Sequence, residues 1–329
     1  METYKSILED YLERKDETAL YRAQRFSRKA LEQKTSPEEV INMHILALQE
    51  IFPEMQKSVR DSFDFLLEVM MEYGMAYQEH QSLRNQQLEL KSEIEVAANM
   101  QRTLLKSQTP FVSSMDIGAL SVPAKKMNGD YFHFVQDEKD RVSVAIADII
   151  GKGIPAALCM SMIKYSMDSL PETRMKPAAI LENLNRVVEQ NVDPSMFITM
   201  LYGIYDPSAH RFSYSSAGHE PGFYYHAEDD EFEELAAKGL VLGVSRNTIY
   251  KEYQRDVKPN DMVVLLTDGV TECRSGEEFI DRSQIADLIR KYINLPAQQI
   301  VENVYKELEK LQDFELRDDF TLLIIRRKV

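Results

Sequence analysis

Apolar side chains recur three and four positions apart along the first stretch of the chain. Tyr4, Ile7, Leu8, Tyr11 and Leu12 form one such stripe, which predicts an amphipathic helix. Ser36, Pro37, Glu38 and Glu39 spell a capping box and predict a helix running through Ile41, Ile45 and Leu48. A further helix is predicted to begin near Pro53 and to carry Phe63, Leu66, Leu67 and Met70, with Gly74 its weak point. No cluster of reactive side chains interrupts these stripes. Residues 1–77 therefore read as an all-α partner-binding or dimerisation domain.

The period then changes. Ala76, Leu83, Leu90, Ala97 and Leu104 recur at every seventh position, with His80, Gln87, Ile94 and Gln101 in the companion places. A seven-residue repeat makes a coiled-coil seam, but of the companions only Ile94 is apolar. Residues 78–107 are either a marginal coiled coil in a dimer or one linker helix packed on its own chain. A marginal coil suits a switch, because a few kcal/mol shift its population. Pairing of this segment by a partner would press on a helix at 155–170 and draw Asp148 into place. Leucine at Gln87 and Gln101 would then raise partner-independent activity.

Beyond Pro110 the pattern shortens. Strands are predicted at Asp130–Val135, Arg141–Ala147, Phe197–Tyr205, Phe212–Ser215, Gly222–His226, Asp261–Thr267 and Phe320–Arg326. Helices are predicted at Pro155–Leu170, Pro177–Glu189, Arg282–Tyr292 and Ala297–Leu311. Hairpin-length connections imply antiparallel sheets flanked by helices, so residues 108–329 form an α+β layered domain.

Composition narrows the function. The 329 residues suit about two domains. The net charge of −15 argues against nucleic acid or anionic membrane as partner. Two cysteines among 16 methionines fit a reducing cytoplasm. The acidic N-terminal segment lacks a signal core, and no apolar run approaches a membrane span.

Candidate chemistry lies at strand ends. The apolar run Met262–Leu266 stops at Asp268-Gly269. Asp130 follows a glycine turn, Asp148 closes an apolar strand, and Asp318 and Asp319 open the last one. Converging carboxylates repel unless cations lie between them. An all-oxygen set suits Mg²⁺ or Mn²⁺. Two such ions, about 3.5–4 Å apart, can share a carboxylate and activate a bridging water. Asp148 is the best bridge, with the Ile149 carbonyl as a further donor. A GTPase reading of DIIG fails for want of an upstream phosphate loop. His219 can hydrogen-bond its own loop or meet substrate, and Lys152 can attract phosphate or stand solvated.

The ordered motifs NGDYF, ADIIGKG, SSAGHEPG, VLLTDGVTE and RDDFT resemble the PPM-type metal-dependent protein serine/threonine phosphatases. The likeness is to the bacterial regulatory, SpoIIE-like branch, and it extends over essentially the whole chain. The resemblance implies two packed antiparallel sheets between helical layers and two Mn²⁺ or Mg²⁺ ions. A metal-bridging water or hydroxide would attack the phosphate, with no side-chain nucleophile. Asp148 would bridge both ions. Asp130 and the Ile149 carbonyl would complete one site, and Asp268 and Asp318 the other, with Asp319 as the alternate ligand in a place often held by Asn. Ile149 departs from the glycine common there. The branch further implies a phosphoserine on an RsbV-like anti-anti-sigma protein as substrate, an RsbT-like activator on the N-terminal domain, and a homodimer serving the stress response. Two other readings are a catalytically dead regulatory scaffold and a phosphohydrolase of small phosphate esters. Holding the repelling carboxylates together argues against the first.

Overall fold

The computed structural model describes residues 4–33, 35–149, 153–169, 175–193, 196–275, 278–312 and 316–329. It divides into two compact units, Met1–Ser92 and Glu93–Val329.

The first unit is helical. It holds α1 (Tyr4–Arg14), α2 (Glu17–Glu32), α3 (Pro37–Ile51) and most of α4 (Lys57–Leu104). Asp16 caps α2 by accepting the Ala19 N–H at 3.0 Å, and the capping box of Ser36 and Glu39 starts α3. Tyr4 ties the first three helices together: its hydroxyl meets His44 Nδ1 at 3.0 Å and its ring meets Phe26 edge-on. A turn closed by Met55 N–H on the Phe52 carbonyl delays α4 to Lys57. Gly74 does not break that helix.

The second unit contains β1 (Met115–Val122), β2 (Asp130–Gln136), β3 (Val142–Ile149), α5 (Ile154–Ser169), α6 (Pro177–Asn191), β4 (Ile198–Asp206), β5 (Arg211–Ala217), β6 (Gly222–His226), β7 (Glu231–Leu235), β8 (Tyr253–Asp256) and β9 (Met262–Leu266). There follow the one-turn α7 (Asp268–Thr271), the short pair β10 (Arg274–Ser275) and β11 (Glu278–Phe279), α8 (Arg282–Lys291), α9 (Ala297–Leu311) and β12 (Phe320–Arg327). One five-stranded sheet has the order β1-β12-β9-β6-β7 and the other β2-β3-β4-β5-β8. The strand pairs within both are antiparallel.

Three apolar clusters set the layers. Val144, Ile146, Leu201, Phe212, Val263, Leu265 and Leu323 meet between the sheets. Met160, Ile163, Leu181 and Leu184 of α5 and α6 pack beneath the β3–β4 sheet, and Ile285, Ile300, Val304 and Leu308 of α8 and α9 beneath the β9–β12 sheet. The unit is thus a helix–sheet–sheet–helix sandwich. Strands buried on both faces must be apolar throughout, and β9 is buried at all five positions. Truncating Leu265 to alanine would cost about 2–5 kcal/mol.

The sequence pattern missed the short pair β10–β11 and, in the two large sheets, β1, β7 and β8, which are all edges there. An edge strand carries charge that blocks further pairing. In β7 (EFEEL) and β8 (YQRD) that charge masks the apolar alternation on which strand prediction depends.

Candidate metal centre

Two pairs of strand ends meet at one place in the second unit. Asp130 opens β2 and Asp148 lies near the end of β3, and the two are register partners. In the other sheet β9 and β12 are neighbours, with Asp268 just after one and Asp318 and Asp319 just before the other. Asp130 joins the sheets: its Oδ2 accepts from Thr267 Oγ1 and Thr321 Oγ1, both at 2.7 Å. Thr267 N–H bonds the Thr321 carbonyl at 3.1 Å, so the two donors are themselves fixed.

Asp268 is the first residue of α7, not of a plain turn. Gly269 follows because a Cβ there would stand 2.0 Å from the Asp319 carbonyl oxygen. Only glycine lets the two backbones approach so closely. Asp319 is occupied. Its Oδ1 accepts the Ala124 N–H at 2.7 Å, its Oδ2 accepts the Gly129 N–H, and its own N–H bonds Asp318 Oδ1 at 3.0 Å.

Gly129 faces a cradle of oxygens. A Cβ built there would lie 3.0 Å from Asp319 Oδ2, 3.6 Å from the Ile149 carbonyl and 3.8 Å from Asp148 Oδ1. Ile149 remains in β3, outside the left-handed region. Its N–H bonds the Gly129 carbonyl at 3.1 Å, so a residue other than glycine fits there.

The carboxylates hold protons unusually tightly. Burial, then the charges of Asp268, Asp318 and Asp319, push Asp148 up to about 7. Burial, Asp318 and Glu272 push Asp268 up to about 6, against a backbone bond from Gly269. Burial raises Asp130 well above the carboxylate range, opposed by its two threonines and reinforced by Asp148 and Asp319. Among the described residues no three carboxylate, imidazole or thiol groups close into a ready cage. An all-oxygen set, strained by its own charge around a glycine cradle, fits hard divalent cations.

The other expected residues lie as follows. His219 is 5% exposed, and its Nδ1 meets Thr199 Oγ1 at 2.9 Å. Burial lowers it to about 4, against a backbone bond at Leu266. Thr199 is the register partner of Asp148, so His219 braces the end of β3 from within. Lys152 lies outside the described residues. Leu83, Gln87, Leu90 and Leu104 are exposed, Ile94 and Ala97 half-buried, and Gln101 buried. Thr267, Thr321 and Asn128 were not singled out in the sequence, where Gly129 stood only as the turn before Asp130. A polar residue next to the acid at the end of an apolar strand was the available signal for Thr267, and a polar residue at the second position of the apolar last strand that for Thr321.

Residues 138–328 match the family described as stage II sporulation protein E (SpoIIE), and residues 2–76 the N-terminal domain of the phosphoserine phosphatase RsbU. The chain is 56% identical over 326 residues to phosphoserine phosphatase RsbU of Bacillus subtilis (strain 168), covering 99% of this chain and 97% of that one. The PP2C domain of SiaA from Pseudomonas aeruginosa superposes with a TM-score of 0.63 at 19% identity, covering 74% of this chain and 98% of that one. The structure of RsbX in complex with magnesium superposes with a TM-score of 0.51 at 17% identity, over 68% of this chain and 100% of that one.

Proposed function

The chain belongs to the SpoIIE family of phosphatases, in the branch of the phosphoserine phosphatase RsbU, and from that membership we propose that it hydrolyses phosphoserine on a protein with the aid of two Mg²⁺ or Mn²⁺ ions. The observation that carries this reading is the meeting of Asp130 and Asp148 with Asp268 and Asp318 where four strand ends converge. Asp148, Asp130 and the Ile149 carbonyl would hold one ion, and Asp148, Asp268 and Asp318 the other. The magnesium bound by RsbX supports the choice of cation. When bound, the ions would supply a water acidic enough to ionise near neutral pH and would neutralise the phosphate oxygens.

The chain's own groups prepare that chemistry. Thr267 and Thr321 fix the Asp130 carboxylate by two O–H donors. His219, held neutral by burial, keeps Thr199 and so the end of β3 in place.

The finer reading follows the branch. The substrate is a phosphorylated RsbV-like protein. Residues 1–77 form the domain that binds an RsbT-like activator and a second copy of the chain, 78–107 the linker and 108–329 the phosphatase. The match of residues 2–76 to the RsbU N-terminal domain supports the first boundary. No described helix is long and apolar enough to cross a membrane.

The test is release of phosphate from phosphorylated RsbV-like protein with Mn²⁺, with and without an RsbT-like partner, beside Asp268→Asn. Metal-dependent release that rises with the partner and vanishes in the variant is expected. A silent parent chain would favour the scaffold. Faster turnover of a small ester than of the protein would favour a phosphohydrolase of small esters.

A further inference from the structure

Gln101 lies in the last turn of α4 and is 4% exposed, while Met100 and Leu104 beside it face outward at 61% and 50%. A buried amide on such a helix needs partners, and this one finds both on a single residue. Its Oε1 accepts the Asn128 N–H at 3.0 Å, and its Nε2 donates to the Asn128 carbonyl at 2.8 Å. The same Nε2 lies 3.3 Å from Met160 Sδ on α5. Paired bonds to the N–H and C=O of one residue fix its orientation as well as its position, as a strand neighbour would.

Asn128 passes that constraint on. Its Oδ1 accepts the Asp130 N–H at 3.0 Å, and its Nδ2 donates to Ser121 Oγ at 2.8 Å. Gly129, between them, bonds Asp319 through its N–H and Ile149 through its carbonyl. Three consecutive residues thus present one acid and the glycine cradle, and the grip on them from α4 is Gln101.

We propose that Gln101 is a positioning residue of the metal centre: its amide latches the Asn128 backbone and so sets Asp130 and the Gly129 cradle in the arrangement that takes the ions. The proposal rests on the metal-dependent reading above. Glutamine suits the task because it offers one donor and one acceptor at the same reach. Glutamate lacks the donor, and leucine lacks both. The geometry reverses the effect expected from the heptad seam: leucine at Gln101 should weaken the centre.

The test uses the full chain with Gln101→Leu, Gln101→Glu and, as control, the exposed Met100→Ala. Mn²⁺ binding is measured by calorimetry, and amide hydrogen exchange of residues 124–130 is measured in EDTA. Gln101→Leu should weaken Mn²⁺ binding about tenfold or more, the scale of lost outer-shell support, and should speed exchange at Asn128 and Asp130. Gln101→Glu should fall between it and the parent, and Met100→Ala should match the parent. Parental affinity and exchange in Gln101→Leu would overturn the proposal. Should that variant fail to fold, Gln101→Glu decides: weaker Mn²⁺ binding and faster exchange than in the parent support the latch, and parental values sink it. A parent chain that binds no Mn²⁺ would count against the metal-dependent reading, whereas the exchange comparison, made without metal, still judges the latch.

Discussion

Asp130 and Asp148 face each other as register partners across the β2–β3 ladder, two acids side by side at the rim of one sheet. Burial and the nearby charges of Asp268, Asp318 and Asp319 penalise the ionised Asp148 carboxylate. The arrangement costs stability until something neutralises it. Asp148→Asn should therefore stabilise the metal-free chain while removing its response to Mn²⁺. A gain on the order of 1–3 kcal/mol is expected near pH 8, after allowance for solvent screening. Urea unfolding in EDTA and in Mn²⁺ measures both arms. A variant less stable than the parent in EDTA would mean that repulsion is not what Asp148 endures.

The pH dependence of the metal-free chain follows from the same groups. Asp148 and Asp268 hold their protons up to about 7 and about 6 when folded, above the ordinary carboxylate range. The folded state then binds more protons than the unfolded one across that window, so stability falls as pH rises through it. His219 has the opposite sign. Its folded value of about 4 lies below that of a free imidazole, so its contribution is present above about pH 6.5 and lost as pH falls towards 4. Two acids outweigh one histidine. Urea midpoints in EDTA should fall between pH 4.5 and 7, less steeply in Asp148→Asn and more steeply in His219→Gln. A rising parent profile would refute the assignment.

Both of these groups sit where the sequence pattern located them, and the reason is local. An apolar run ending in an acid before a glycine is visible one strand at a time, which is how Asp148 and Asp268 stood out. What holds them was not legible. Thr267 and Thr321 serve Asp130, 137 and 191 residues away in the chain, and nothing in either threonine's neighbourhood announces the partner. Gln101 is the sharper case. Its place in the heptad left open a seam between chains or packing on its own chain, and the fold turns it onto Asn128. A periodic pattern gives the face of a helix but not what packs there.

Gly129→Ala tests the cradle directly. The new methyl would stand 3.0 Å from Asp319 Oδ2 and in contact range of the Ile149 carbonyl and Asp148 Oδ1. It would occupy the space those oxygens face without entering a core cluster. Mn²⁺ affinity should fall by about tenfold or more, with a urea midpoint in EDTA close to that of the parent. Gly269→Ala differs, because its methyl would meet the Asp319 backbone at 2.0 Å. That clash should cost about 1–3 kcal/mol of stability as well. Equal losses of stability in the two variants would contradict this division.

The final prediction separates Asp318 from Asp319. Asp319 spends both carboxylate oxygens on backbone N–H groups, those of Ala124 and Gly129. An asparagine there offers one oxygen and turns an N–H₂ towards the other donor, so one of the two bonds is lost. Asp319→Asn should therefore loosen the 124–129 segment and weaken Mn²⁺ binding in part, while activity returns at high Mn²⁺. Asp318 raises the proton affinity of both Asp148 and Asp268, as a ligand held between them would. Asp318→Asn should remove a ligand outright, so that no Mn²⁺ concentration restores turnover, with a loss of several orders of magnitude in kcat. Titrating activity against Mn²⁺ for the two variants distinguishes a raised half-saturation from a lowered ceiling. If Asp319→Asn shows the lowered ceiling and Asp318→Asn the raised half-saturation, the two residues exchange roles, and Asp319 is both the fastening of the loop and the ligand.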